Sequence, residues 1–90
     1  MQTIADLERL LEVADVDFDR VSIYPDEVKD FALHMREQVD GSWMVYYMEK
    51  GNKSAKITFD SFWQAGRYFL GSIHAEPQWF IRPRDQQTVR

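Results

Sequence analysis

Phe31-Ala-Leu-His-Met-Arg-Glu-Gln-Val39, Asp40-Gly41, Ser42-Trp-Met-Val-Tyr-Tyr-Met-Glu49, Lys50-Gly51-Asn52-Lys53 and Ala55-Lys-Ile-Thr-Phe59 decide how this chain folds. The first run alternates apolar and polar residues, the signature of a half-buried strand. Asp-Gly is the strongest short hairpin signal, and residues 42–49 are dense in strand-favouring side chains. Lys50 to Lys53 read as a second turn. Residues 55–59 read as a third strand with Ala55, Ile57 and Phe59 inward. The expectation is a three-stranded antiparallel meander.

Which side chains meet water depends on the first hairpin's register, and the residues admit two. A two-residue Asp40-Gly41 turn pairs Val39 with Ser42 and sets Phe31, Leu33 and Met35 beside Met44, Tyr46 and Met48. A three-residue loop with Gly41 as the bulge pairs Gln38 with Ser42 and brings Trp43, Val45 and Tyr47 there instead. The second is preferred, because it buries a branched residue and two large rings together. His34, Arg36, Met44, Tyr46 and Met48 then share the opposite face.

Upstream, residues 3–14 form an amphipathic helix. Ile4, Leu7, Leu10, Leu11 and Ala14 recur at three-and-four spacing, and Thr3 with Asp6 makes a box-like cap. Residues 15–30 hold no period. Their spaced aspartates and Tyr24-Pro25-Asp26 indicate a connecting loop pinned by Phe18, Val21 and Ile23. Downstream, Asp60 and Ser61 offer a cap for a helix to about Ile73, with Phe62, Gly66, Phe69, Leu70 and Ile73 as its stripe and Trp63 flanking it. Gly66 in mid-helix implies close packing on the sheet. The architecture is α+β in the order α-β-β-β-α, with residues 1–74 as a single domain and 75–90 as an extended tail. Trp79-Phe80-Ile81 is that tail's hydrophobic cluster.

A chain of 90 residues allows one domain. Thirteen aromatics among 44% apolar residues supply a core. The absence of cysteine excludes a disulfide scaffold, a thiolate metal site and a cysteine nucleophile. No run approaches the roughly 18 apolar residues of a membrane span, and no signal peptide is visible, so a soluble, cytoplasmic protein is expected. The net charge of −4 argues against a dedicated nucleic-acid binder.

Catalytic chemistry finds little support. His34 and His74 lack metal-pair spacing, and a strand histidine beside Arg36 reads as a hydrogen-bonded surface group. The serines have no nucleophile-elbow context, and no glycine-rich loop cradles a phosphate. Asp15, Asp17 and Asp19 imitate the start of a calcium loop without its glycine or distal glutamate. No enzyme, metal or cofactor is expected.

The run Leu7-Glu8-Arg9-Leu10-Leu11, then Pro25-Asp26-Glu27, Gly41-Ser42-Trp43-Met44-Val45-Tyr46-Tyr47-Met48-Glu49-Lys50-Gly51, Phe59-Asp60-Ser61 and Arg67-Tyr68-Phe69-Leu70 resembles the small bacterial immunity proteins of contact-dependent growth-inhibition and polymorphic toxin systems. The similarity covers roughly residues 4–73. It implies a single-domain inhibitor that occludes a cognate toxin's carboxy-terminal domain inside the producing cell. Such toxins are often nucleases, so the implied partner is basic.

Charge distribution agrees with that partner. Residues 1–30 carry a balance of −6, whereas residues 50–73 carry +3. The acidic segment is either a solvated face or an anionic edge that steers a cation, formed by Asp15, Asp17, Asp19, Asp26, Glu27 and Asp30 together with Tyr24. Under the preferred register, His34, Arg36 and Tyr46 either pack against a helix or offer a partner anchor. Trp79 and Phe80 either clip over the core or reach another chain. A competing reading is a single-stranded nucleic-acid module, with sheet aromatics as stacking platforms and Lys50, Lys53 and Lys56 gripping the backbone.

Overall fold

A computed structural model describes residues 1–80; Ile81 and the rest of the expected tail lie outside the described residues. The elements are helix α1 (Ile4–Val13), strands β1 (Val21–Ser22), β2 (Ala32–Glu37), β3 (Trp43–Glu49) and β4 (Asn52–Phe59), helix α2 (Phe62–His74) and a 3₁₀ turn at Pro77–Trp79. The fold is α+β. Its sheet has four strands in the order β1-β2-β3-β4 and is mixed, because β1 runs parallel to β2. This corrects the all-antiparallel three-stranded meander expected from the sequence. Two residues are too few to show a period, and a parallel partner leaves no hairpin signal.

The first hairpin adopts the three-residue loop. Gln38 N–H donates to Ser42 C=O at 2.7 Å, and Gly41 takes φ +89°. Asp40 closes this loop by accepting from Ser42 N–H at 3.0 Å and Ser42 Oγ at 2.6 Å, which holds its carboxyl below the usual aspartate range. Leu33, Met35 and Glu37 consequently pair with Tyr47, Val45 and Trp43. Lys50 and Gly51 both take positive φ, giving a two-residue turn whose twist suits the flanking strands.

Two inward assignments are overturned by backbone conformation. Phe31 sits at φ +54°, ahead of β2 rather than in it, and is 46% exposed. Ala55 occupies a β-bulge at φ +53°. There two residues of β4 oppose Tyr46 alone, so the face alternation shifts: Ser54 pairs with Tyr47, and Ala55 is exposed. Beyond the bulge Ile57 pairs with Val45 but is 38% exposed, so it too departs from the inward expectation, whereas Phe59 packs on the core.

One core fills the space between the helices and one sheet face. Leu7 and Leu11 from α1, Val16, Val21 and Ile23 from the following segment, Leu33, Met35 and Val45 from the sheet, and Phe69 and Ile73 from α2 form a single cluster. Full burial of each large member contributes roughly 1.5–3 kcal/mol. Thr3 and Asp6 make a reciprocal capping box on α1, and Ser61 Oγ accepts from Gln64 N–H to start α2. Trp79 joins the same core at 6% exposure, its ring edge-on to Tyr47. Its carbonyl accepts from Asp17 N–H at 2.8 Å, while Phe80 bridges to Val16. Gly66 is a point of close approach, but to the N-terminus rather than to the sheet as expected: a Cβ there would collide with the Met1 side chain, whereas Met35 Cε stands at an ordinary 4.0 Å.

Candidate functional site

The sequence-predicted residues divide between two regions. His34, Arg36 and Tyr46 share the sheet face opposite the helices, and that face is closed. Arg36 donates to Ser22 C=O at 3.1 Å, Ser22 Oγ at 2.6 Å, Met35 C=O at 3.0 Å and also to Glu27 C=O. Partial burial lowers the guanidinium's pKa, yet it stays charged. Segment 27–30 thereby lies across the face. Lys29 N–H donates to His34 Nε2 at 3.2 Å, Lys29 Nζ donates to the carbonyls of Phe18 and Val21, and Asp30 Oδ1 meets Gly51 N–H at 3.4 Å.

His34 is therefore no surface group, contrary to expectation: it is fully buried. Because Nε2 accepts, the proton sits on Nδ1 and is donated to Ala32 C=O at 3.1 Å. Burial pushes its pKa down, with Arg36, Lys29 and Lys53 adding to that, against the Ala32 carbonyl. Neither nitrogen is left for catalysis. Tyr46, a possible partner anchor on sequence grounds, is only 5% exposed, stacks on His34 at 5.1 Å between centroids and lies under Lys53 Nζ at 4.8 Å. With that ring so engaged, the stacking platform of the nucleic-acid reading is covered. Lys50, Lys53 and Lys56 remain exposed on β4 and its turn.

The acidic residues behave differently. Asp15 (φ +61°), Asp19, Asp26 and Asp30 are exposed, and Asp17 and Glu27 are half-buried. Asp17 accepts from Asp19 N–H and pairs with Arg20 at 3.8 Å. Among the described residues this is the one ion pair, and Lys29 is turned inward onto main-chain carbonyls. Asp15, Asp19, Asp26, Glu27 and Asp30 thus have no ion-pair partner among the described residues. Tyr24 ties the segment to α1, its hydroxyl donating to Glu8 Oε1 at 2.7 Å. That bond, with partial burial and the charges of Glu8, Glu27 and Glu12, raises the phenol's pKa. Tyr24 therefore marks the point where acids from α1 and from the loop converge.

Beside this acidic side lies a cleft of about 500 Å³ between the start of α1, the turn after β1 and the end of β2. Ile4, Ile23, Pro25 and Trp43 supply its apolar walls, and Glu37 and Val39 its lip. Sequence reading missed it, because the walls come from elements distant along the chain. A second missed feature is the aromatic patch of α2 and β4. Trp63 is 52% exposed with Arg67 over its ring at 4.7 Å, and Tyr68 packs on Phe59. The i, i+4 spacing of Trp63 and Arg67 was a readable signal for that pair.

Trp79, read as a possible reach to another chain, is a core residue, and Phe80 is half-buried beside His74. No group of three metal-ligating side chains is found among the described residues, and no helix there is long and apolar enough to cross a membrane. Comparison with protein-family models, curated proteins and solved structures returns no match to this chain.

Proposed function

We propose that the chain is a stoichiometric protein inhibitor of the immunity type, which holds a basic toxin domain against the acidic side formed by α1 and residues 15–30. The observation that carries this reading is the disposition of charge within that segment. Arg20 is spent on Asp17 and Lys29 on main-chain carbonyls, while Asp15, Asp19, Asp26, Glu27 and Asp30 make no ion pair among the described residues. A merely solvated face would gain from pairing its charges locally; here Arg20 offsets Asp17 alone, Lys29 is turned onto main-chain carbonyls, and the other carboxylates of the segment are left without an ion pair among the described residues. Outward anions accelerate encounter with a basic partner and mimic the phosphates that a nuclease is built to bind. The closed His34–Arg36–Tyr46 face removes one rival surface and so supports placing the partner on the acidic side and its neighbouring cleft.

Co-expression tests this directly. The carboxy-terminal domain of the protein encoded immediately upstream should arrest growth alone and be tolerated with this chain, and the two should co-elute at 1:1. Continued arrest with no co-elution would refute the reading.

A further inference from the structure

The cleft lies beside the unpaired end of a sheet edge. Gln38 N–H faces β3, donating to Ser42 C=O, and Leu33 N–H faces the other way, donating to Arg20 C=O at 2.9 Å. Alternation therefore turns the main-chain groups of Leu33, Met35 and Glu37 toward the β1 side. β1 serves only the start of that edge, since its pairing ends with Ser22 against His34. Pro25 then removes a donor, and the turn closed by Glu27 N–H to Tyr24 C=O at 3.0 Å leads the chain away. The Met35 carbonyl receives the Arg36 guanidinium, so the first ladder position left without a strand is Glu37, at the mouth of the cleft.

We propose that this edge takes an extended basic segment of the partner as an added strand, with its main chain on Glu37 and its side chains in the cleft. The inference rests on the inhibitor reading above. Charge complementarity selects the occupant. Glu37 stands on the cleft's lip, and Asp26 and Glu27 lie close enough to bear on Arg36. None of these carboxylates has an ion pair among the described residues. Arg36 also lines the cleft, but its donors are committed to Ser22, Glu27 and Met35. A strand seated here presents alternate side chains to one side. A lysine or arginine opposite Glu37 and an apolar residue two positions away toward Ile4, Ile23 and Trp43 would satisfy both the charge and the walls. The sheet's other edge is ill suited to this. β4 carries the Ala55 bulge with Lys53 and Lys56, devices that discourage strand addition.

The probe is an acetylated, amidated heptapeptide, Thr-Lys-Thr-Val-Thr-Lys-Thr, titrated into the full chain while backbone amide shifts and hydrogen exchange are followed. Glu37 and Val39 amides should shift, and exchange at Glu37 N–H should slow about tenfold or more at saturation. N-methylating the peptide's alternate amides should weaken binding roughly five- to tenfold, as should Glu37→Pro, which removes an outward donor at an edge position where proline is tolerated. Unchanged Glu37 exchange on binding, equal affinity of the methylated peptide, or no binding would each overturn the strand proposal. Neutralisation of the toxin domain by Glu37→Pro at wild-type potency would also overturn it and leave the inhibitor reading standing. Peptide addition at Glu37 by a chain that fails to bind the toxin domain would uphold the edge and sink that reading.

Discussion

Arg36→Met probes whether the back of the sheet is a structural seal. The substitution keeps an unbranched apolar stem of similar length but deletes donations to Ser22 C=O, Ser22 Oγ, Met35 C=O and Glu27 C=O. Ser22 is almost completely buried, so its acceptors cannot be rehydrated without opening the segment above them. Charge-assisted bonds to such acceptors are each worth about 1.5–3 kcal/mol, but they share one donor group that is itself partly exposed. The net cost is therefore about 2–4 kcal/mol. Against the roughly 5–13 kcal/mol total of a chain this long, that is a large fraction. At about 4–8 °C per kcal/mol, Tm should fall by roughly 8–32 °C in thermal unfolding followed by circular dichroism. Amide exchange at Lys29 should accelerate in step, because its N–H rests on His34 beneath the same segment. Arg36→Lys keeps the charge but not the planar fork, so it should recover less than half the loss. A Tm within about 3 °C of wild type would refute the seal and return Arg36 to the surface.

Other consequences follow from single side chains. His34 is held neutral with a lowered pKa, so the unfolded chain binds its proton more readily. Its contribution is present above about pH 6.5 and is lost as pH falls below that toward the folded pKa. Urea midpoints should drop between pH 7.5 and 5.5, and less so in His34→Gln; parallel profiles would contradict this. The lowered carboxyls of Asp6 and Asp40 lose their contributions in a separate window, below about pH 4. Gly66→Ala gains up to about 1 kcal/mol of helix propensity and displaces only the flexible end of Met1. It should raise Tm by a few degrees, and a loss above about 2 kcal/mol would show that Met1 packing is rigid. Trp79→Ala should cost about 3–5 kcal/mol by denaturant titration, as for a buried aromatic; a loss under about 1 kcal/mol would place Trp79 outside the core.

What was legible in the sequence was whatever local periodicity and turn chemistry control. The capping box of Thr3 and Asp6, the stripe of α2 and the Gly41 loop each follow from residues a few positions apart, and the loop set the sheet's faces correctly. β1 was illegible because two residues carry no period. Phe31 and Ala55 broke their alternation through positive φ, which nothing in their side chains announces. The site fared unevenly for a related reason. The outward carboxylates could be counted along the chain, but the burial of His34 and Tyr46 depends on Lys29 and Glu27 folding back across the sheet. The cleft at Glu37 exists only because β1 stops early, and no local signal marks that.

Recruitment of a basic protein partner by the carboxylates of residues 15–30 is the step on which the proposed function turns. Its most direct test is the association rate of the upstream-encoded carboxy-terminal domain, measured by stopped flow from about 50 to 500 mM salt, for wild type and for a variant with Asp15→Lys, Asp19→Lys and Asp26→Lys. The wild-type rate should fall steeply with salt, and the variant rate should be at least tenfold slower at low salt, with a flattened dependence. Coincident rates across the whole salt range would contradict it.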